Sequence, residues 1–90
     1  MTIYVYGQAN VSRHLIDGVQ DCDSLSVEID EDLRVIRVKA GKGLPCKLGS
    51  LKSSTIGFSK HIIQKIMKID GARRVIQLRK DEDGWWYGSW

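Results

Sequence analysis

Residues 25–40 read LSVEIDEDLRVIRVKA, and this stretch decides the fold. Apolar residues occupy every second position in both halves of the stretch, and an acidic run at 30–32 separates the halves. The acidic run has the length of a hairpin connection. Because alternation with a period of two is typical of half-buried strands, the stretch predicts an antiparallel hairpin from Leu25 to Ala40.

Two shorter patterns precede this hairpin. Residues alternate from Thr2 to Tyr6, which predicts a strand with Ile3 on one face and with Tyr4 and Tyr6 on the other. Farther along, apolar residues four apart within 11–19 favour a short amphipathic turn of helix.

The segment Gly41–Gly57, after the hairpin, is expected to be mostly loop. It contains four of the nine glycines and the only proline, and both residue types interrupt helices and strands. Because structureless loops of this length are uncommon in small domains, a short element is predicted near Leu48–Leu51.

A helix is predicted after this loop, over about residues 58–70, with Gly71 at its C-terminal end. The apolar residues at helical spacing are Phe58, Ile62, Ile66 and Ile69. One helix face is therefore expected to pack on the sheet.

The remaining residues predict a second hairpin, with strands at Arg73–Lys80 and Trp85–Trp90 and a turn at Asp81–Gly84. The expected fold is a single α+β domain over residues 1–90. It consists of a small antiparallel sheet of about five strands with one main amphipathic helix packed on one face.

The composition is that of an ordinary globular protein, since 42% of the 90 residues are hydrophobic and 28% are charged. No apolar run approaches the roughly 18 residues that a membrane span needs, and the N-terminal residues lack the features of a secretory signal. We therefore expect a cytoplasmic protein that does not enter a membrane.

The cysteines and histidines do not predict a metal site. His14, Cys22, Cys46 and His61 are far apart in sequence, whereas zinc ligands usually come in pairs about two to four residues apart. Small secreted domains usually have more cysteines than these two, so both are expected to be reduced thiols. We expect no metal and no cofactor.

Charge is distributed unevenly along the chain. Residues 39–80 contain eleven basic residues and one acidic residue, whereas residues 1–38 contain three basic and seven acidic residues. A cluster of cations attracts polyanions such as the phosphate backbone of a nucleic acid, so this segment predicts a nucleic-acid-binding surface. The residues predicted to form it are Lys42, Lys52, Lys60, Lys65, Lys68, Arg73, Arg74 and Arg79.

Four of the last six residues are aromatic: Trp85, Trp86, Tyr87 and Trp90. Successive strand residues point to opposite faces, so Trp85 and Tyr87 are predicted on one face and Trp86 on the other. We expect Trp86 to be the exposed ring, able to stack on bases. Tryptophan is also favoured at protein interfaces, which makes Trp85, Trp86 and Trp90 candidate partner-binding residues.

These features predict a small non-enzymatic protein that binds nucleic acid or another polyanion through a basic surface. One alternative is a compact inhibitor or adaptor, of the kind that phages and plasmids encode, which binds a macromolecular machine through the C-terminal aromatics. Another is a small basic ribonuclease of the toxin type, in which His14 and His61 perform acid–base catalysis. A second copy of the chain is a further candidate partner, since a homodimer would cover the second aromatic face.

Overall fold

The structure is a computed structural model that describes residues 1–4, 6–49, 54–58, 60–67 and 73–90. These residues form two antiparallel sheets, of four and five strands, and two short helices. The antiparallel strands predicted from the sequence are confirmed. The expected single sheet with one main helix is corrected to two sheets with two short helices. The sequence does not predict the second sheet, because several strands are too short to give an alternating pattern.

The elements follow one another in the order β1 (Thr2–Tyr4), β2 (Gln8–Asn10), α1 (Arg13–Asp17), β3 (Ser24–Asp30), β4 (Val35–Gly41), β5 (Cys46–Lys47), β6 (Thr55–Gly57), α2 (Lys60–Met67), β7 (Arg73–Val75), β8 (Arg79–Lys80) and β9 (Trp86–Ser89). The smaller sheet has the strand order β6-β2-β1-β7, and the larger sheet has the order β5-β3-β4-β9-β8.

The hairpin predicted at Leu25–Ala40 is confirmed as β3 and β4 of the larger sheet. The two strands pair along their whole length, with Val27 opposite Val38. Asp30 closes the turn, because its carboxylate accepts a hydrogen bond from the Leu33 amide at 3.1 Å. The alternation in the sequence becomes an alternation of faces, and Val38 is fully buried.

A second hairpin, β1–β2, forms the centre of the smaller sheet, and the sequence does not predict it. Gly7 makes the turn possible because it has a φ of 100°, a conformation that glycine adopts without strain. The Gly7 amide donates a hydrogen bond to the Tyr4 carbonyl at 3.1 Å. The Gly7 carbonyl accepts one from the Phe58 amide at 2.7 Å, which ties the segment before α2 to this turn.

Two short strands, β5 and β6, lie in the segment predicted to be mostly loop. β5 pairs with β3 and β6 pairs with β2. An antiparallel bridge between Leu48 and Ile56 joins the two sheets at this corner. The short element predicted near Leu48–Leu51 is therefore found two residues earlier, at Cys46–Lys47, while residues 50 and 51 lie outside the described residues.

The strand predicted at Arg73–Lys80 is divided between the two sheets. β7 belongs to the smaller sheet and β8 to the larger, and residues 76–78 cross between them. The Ile76 amide donates a hydrogen bond to the Met1 carbonyl at 2.7 Å, so pairing with the N-terminus continues one residue beyond β7. A chain that changes sheets in this way forms a corner between two packed sheets.

This crossing requires Gly88 in β9. A β-carbon placed at Gly88 would lie 2.6 Å from Cγ2 of Ile76 and 2.8 Å from the carbonyl oxygen of Gln77. Both distances are far below van der Waals contact. Because one of the two neighbours is backbone, a rotamer change cannot relieve the overlap, and glycine lets residues 76–78 pass directly against β9.

Helix α1 confirms the amphipathic turn predicted within residues 11–19. Its N-cap is Ser12, whose hydroxyl accepts a hydrogen bond from the His14 amide at 3.3 Å. Leu15 and Ile16 are buried, whereas Val19 is 37% exposed. The buried stripe therefore includes Ile16 rather than Val19.

Helix α2 corresponds to the predicted main helix but begins later, at Lys60. Phe58 is buried ahead of the helix, where its hydrogen bond to Gly7 holds the chain outside helical geometry. Ile69 and Gly71 lie outside the described residues. Within the described part of the chain, no helix is long and apolar enough to cross a membrane.

The inward faces of both sheets and both helices meet in one hydrophobic core. Its buried members are Ile3, Ala9, Val11, Leu15, Ile16, Leu25, Ile36, Val38, Ala40, Ile56, Phe58, Ile63, Ile66 and Ile76. Burial of one large apolar side chain contributes about 1.5–3 kcal/mol relative to exposure. This shared core therefore holds the two sheets together.

We expect Gly88→Ala to lower the free energy of unfolding by roughly 1–3 kcal/mol, the usual cost of an extra carbon in a packed site. Gly57→Ala is the matched control, because Gly57 also lies in a strand and a β-carbon there meets no atom within 4 Å. The control should change stability by less than about 0.5 kcal/mol. Urea denaturation measures both values, and equal stabilities would contradict the crossing at β9.

Candidate functional site

The basic residues predicted to bind nucleic acid lie on several elements of the fold. Arg73 and Arg74 are in β7 of the smaller sheet, whereas Arg79 is in β8 of the larger sheet. Lys60 is the first residue of α2. Lys52 and Lys68 lie outside the described residues.

Two further members of the predicted set lie near carboxylates. The Lys65 ammonium in α2 is 3.7 Å from a carboxylate oxygen of Glu31, in the β3–β4 turn. Lys42 follows β4 and lies close to Asp23. A hydrogen bond from the Ser24 hydroxyl, at 2.7 Å, is the main cause that lowers the pKa of Asp23, and the charge of Lys42 lowers it further. Each lysine is therefore partly neutralised by a neighbouring acid.

One surface combines aromatic, amide and cationic groups without acids: the outer face of the smaller sheet. The inward residues of its two central strands and of β6 are Ile3, Ala9 and Ile56, which are almost completely buried. The register places the residues between them on the opposite side. This tyrosine face consists of Thr2, Tyr4, Tyr6, Gln8, Asn10, Thr55, Gly57, Arg73 and Val75.

The centre of the tyrosine face is a pair of stacked rings. The ring centroids of Tyr4 and Tyr6 are 5.2 Å apart, and the ring planes differ by 20°. Tyr6 is 68% exposed, so most of its surface faces solvent. Arg73 is exposed and lies directly opposite Tyr4 on the neighbouring strand, with Val75 beyond it at 65% exposure.

Amide groups flank the rings on the other side. Gln8 is exposed and pairs with Tyr4 across β1 and β2. The side-chain oxygen of Asn10 accepts a hydrogen bond from the Thr55 hydroxyl at 2.5 Å, which orients the amide group of Asn10. None of the four strands of this sheet contains an acidic residue. The tyrosine face therefore offers stacking surfaces, hydrogen-bond donors and positive charge together.

Tyr4 and Tyr6 are not among the site residues predicted from the sequence. The signal was nevertheless present, because alternation from Thr2 to Tyr6 predicts Tyr4 and Tyr6 on the side opposite the buried Ile3. What the sequence does not reveal is that β7 pairs with β1 and brings Arg73 beside them.

The outer face of the larger sheet carries a second polar and aromatic cluster, the tryptophan face, formed by Glu28, Arg37, Lys39, Asp83, Trp85 and Tyr87. The Arg37 guanidinium carbon lies 4.2 Å from the centroid of the Trp85 ring. Its Nε atom donates a hydrogen bond to Glu28 at 2.7 Å, and a second nitrogen forms an ion pair with the same carboxylate. Arg37 is thus held by an acid on one side and by an indole ring on the other.

Asp83 anchors the aromatic end of this cluster. Its carboxylate accepts a hydrogen bond from the Tyr87 hydroxyl at 2.5 Å and another from the Trp85 amide at 2.9 Å. The Tyr87 hydrogen bond is the largest cause that lowers the pKa of Asp83, followed by the Trp85 amide. The tryptophan face contains its own acids, so it is less suited to a polyanion than the tyrosine face.

All three tryptophans are half-buried, and Trp86 and Trp90 pack against the core. Alternation is confirmed, because Tyr87 pairs with Arg37 on the outer face and Trp86 pairs with the buried Val38 on the inner face. The choice of Trp86 as the exposed ring is wrong, since Trp86 and Trp90 both pack against the core. Alternation alone cannot decide which face is inward, and pairing with β4 decides it here.

The two histidines lie on different helices, and His14 lines a cleft. This cleft is formed by α1, β4 and the β8–β9 region, whereas His61 is exposed on α2. Cys22 and Cys46 are free cysteines. Within the described ranges, no group of three histidine, cysteine, aspartate or glutamate side chains could hold a metal ion.

A scan for protein families and searches among curated proteins and solved structures gave no match to this chain. Function is therefore argued from the residues themselves.

We expect the pKa of Asp83 to rise towards the ordinary aspartate value of about 3.9 in Tyr87→Phe, because the variant lacks the hydroxyl donor. A lowered pKa in the folded state stabilises the fold above the unfolded pKa, and this contribution is lost as the pH falls through the folded pKa. The stability difference between wild type and variant should therefore be largest above about pH 4 and shrink in stronger acid.

Carbon-13 NMR titration of the Asp83 carboxyl group measures this shift directly. Tyr6→Phe is the control, since Tyr6 belongs to the tyrosine face and should leave the Asp83 titration unchanged. An unaltered Asp83 titration in Tyr87→Phe would show that the hydroxyl does not bind this carboxylate in solution.

Proposed function

We propose that this protein binds single-stranded nucleic acid without enzymatic activity and that the tyrosine face is the binding surface. The observation that supports this most directly is the exposed Tyr4–Tyr6 ring pair beside Arg73, on a sheet whose strands contain no acidic residue. A four-stranded sheet that stacks bases on exposed aromatic rings is an established mode of single-strand recognition.

Stacking supplies the main attraction in this proposal. Every base has an aromatic face, and stacking one base on an aromatic side chain contributes roughly 1–3 kcal/mol. The Tyr6 ring is accessible to such a base, while Tyr4 supports it from beneath. Arg73 lies one strand away, where its guanidinium can bind a phosphate or stack on a neighbouring base.

The dimensions of the sheet suit a short single strand. Strands lie about 4.8 Å apart, so a four-stranded sheet is roughly 14 Å wide, which is enough for two or three bases. The amides of Gln8 and Asn10 lie beside the rings and can donate hydrogen bonds to base edges. In a duplex the base faces are covered by neighbouring pairs, so the tyrosine face favours unpaired bases.

This mechanism predicts a modest dependence on salt. Each phosphate neutralised on a single strand contributes about −0.7 to the slope of log affinity against log salt concentration. The described residues of the tyrosine face include one cation, Arg73, so the slope should be shallow. A continuous basic surface built from all eight predicted residues would give a much steeper slope.

A second candidate function, binding of a protein partner, is favoured by a different observation. Leu33 in the β3–β4 turn is 72% exposed and lines a shallow groove together with Val35 and Tyr87 of the larger sheet. Arg37 also lines this groove, and tyrosine and arginine are the residue types enriched among those that bind protein partners. Of the three tryptophans predicted from the sequence to bind a partner, Trp85 is the one available on this face, since Trp86 and Trp90 pack against the core.

Replacement of the exposed ring tests the first proposal. We expect Tyr6→Ala to weaken binding of fluorescein-labelled oligo(dT) and oligo(U) by about 5- to 150-fold, because a stacked base loses its platform. Duplex binding should change much less. Leu33→Ala is the matched control, since it also removes an exposed apolar side chain but lies on the other sheet.

Replacement of Arg73 and of Arg79 separates a local site from general charge. Arg73→Gln should weaken single-strand binding and make its salt slope less steep, whereas Arg79→Gln should have little effect, because Arg79 belongs to the other sheet. Fluorescence anisotropy at several salt concentrations measures both variants. Equal losses would favour a diffuse basic surface, and no binding at low salt would exclude the nucleic-acid proposal.

A further inference from the structure

The smaller sheet has an open edge at β7. Among the described residues, β7 pairs with β1 on one side and with no strand on the other. The opposite edge of this sheet is covered, because Ile56 of β6 also forms a bridge with Leu48. Edge strands with unpaired backbone groups are the places at which a sheet accepts a further strand.

The hydrogen bonds of the N-terminus show which backbone groups of β7 point outward. The Ile76 amide donates to the Met1 carbonyl at 2.7 Å, and the Met1 ammonium donates to the Ile76 carbonyl at 2.8 Å. Opposed residues of an antiparallel ladder alternate between pairs that exchange both bonds and pairs that exchange none. In the register of β1 and β7, Arg74 therefore binds β1, whereas the N–H and C=O groups of Arg73 and Val75 point to the open edge.

The side chains of β7 give this edge a positive charge. Arg73 and Val75 are exposed on the tyrosine face, and Arg74 is half-buried on the other face of the strand. In the described part of the chain, no side-chain hydrogen bond or ion pair engages either arginine. Because like charges on paired strands repel and opposite charges attract, this edge disfavours a basic strand and favours an acidic one.

A second copy of the chain fits this edge poorly. The antiparallel register that pairs all three residues of β7 with β7 of another copy places the two Arg74 residues opposite each other. Like charges directly opposite one another destabilise a strand pair. The whole chain also has a net charge of +3, so two copies repel each other.

We propose that the β7 edge binds an extended acidic peptide, which adds to the smaller sheet as a fifth, antiparallel strand. The peptide backbone exchanges hydrogen bonds with Arg73 and Val75. Three successive peptide residues lie opposite Val75, Arg74 and Arg73, in that order. An apolar residue suits the first position and acidic residues suit the other two, so the matching sequence is one apolar residue followed by two acids.

This proposal goes beyond nucleic-acid binding, because the backbone groups of a sheet edge pair with another polypeptide backbone. It shares Arg73 with the tyrosine face, so peptide binding is measured without nucleic acid. The probe is an acetylated and amidated heptapeptide with two threonines on each side of a valine–aspartate–glutamate run.

Amide hydrogen exchange followed by NMR tests the open edge directly. In the free protein the Arg74 amide should exchange slowly, because it donates to β1, whereas the Arg73 and Val75 amides should exchange rapidly. Saturation with the heptapeptide should slow exchange of both Arg73 and Val75 by at least about tenfold. A peptide with lysines in place of the two acids should bind at least about tenfold more weakly, since its charges repel the arginines.

N-methylated peptides distinguish strand addition from attraction between charges. Methylation at the valine or at the glutamate removes an N–H that donates to β7, so each should weaken binding by about tenfold. Methylation at the central aspartate is the matched control, because that N–H points away from β7 and its loss should have little effect. All three methylated peptides carry the same charge.

Substitutions in the protein locate the peptide. Arg73→Gln and Arg74→Gln should each weaken its binding by about two- to fivefold, the effect of losing one cross-strand charge pair. Arg79→Gln is the matched control, since Arg79 is an exposed strand arginine of the larger sheet. Tyr6→Ala should leave peptide binding unchanged while it weakens oligonucleotide binding, which separates this proposal from the nucleic-acid proposal.

Several results would overturn the proposal. Slow exchange of Arg73 and Val75 in the free protein would show that another part of the chain occupies the edge, and slowing that depends on protein concentration alone would show a second copy there. Equal binding of the three N-methylated peptides would show attraction between charges without strand addition. Slower exchange of these two amides with oligo(dT) but not with the peptide would assign the edge to nucleic acid.

Discussion

The close approach of residues 76–78 to β9 at Gly88 is the constraint on which the rest of the structure depends. The distances there leave no space for a side chain, since a β-carbon would lie 2.8 Å from a backbone carbonyl oxygen. At this point the chain leaves the smaller sheet and joins the larger one. The crossing and the Leu48–Ile56 bridge connect the two sheets at separate corners, around one shared core.

The same crossing determines which charges lie together. It separates Arg73 from Arg79, although alternation along an unbroken strand would place both on one face. Folding also brings acidic residues close to basic ones: Glu28 forms an ion pair with Arg37, and Glu31 lies near Lys65. Such exposed pairs contribute only about 0–1 kcal/mol to stability, but they reduce the local positive potential. The described basic residues of this segment are therefore distributed over both sheets and α2, and Lys65 has an acid close by.

The sequence predicts the elements that carry a repeated pattern and misses several of the shortest strands. The hairpin of β3 and β4 is predicted correctly because apolar residues alternate with polar ones along both strands, within a stretch of sixteen residues, 25–40. Strands such as Gln8–Asn10 and Thr55–Gly57 have three residues each, which is too few for a periodic signal. These two strands pair with each other although they lie more than forty residues apart in the sequence, and no local pattern contains that information.

The candidate site was predictable only in part for the same reason. Alternation places Tyr4 and Tyr6 on one side of β1 and separates Trp85 from Trp86, and both inferences follow from local geometry alone. Which side faces the core depends on pairing, and β4 places Trp86 inward opposite Val38. The position of Arg73 beside Tyr4 depends on the pairing of β7 with β1, more than sixty residues apart in the sequence.

Under the proposed function, stacking of Tyr4 on Tyr6 also prepares the exposed Tyr6 ring for binding. Fixing a mobile side chain on binding costs about 0.5–1.5 kcal/mol of free energy, because the side chain loses conformational entropy, and this cost reduces the affinity. Aromatic stacking contributes roughly the same amount, about 0.5–1.5 kcal/mol, so contact with Tyr4 can hold the Tyr6 ring in place before a ligand arrives. The ring is then preorganised, and more of the energy of stacking on a base remains available for binding. In the proposed binding mode, Tyr4 therefore raises the affinity by positioning Tyr6.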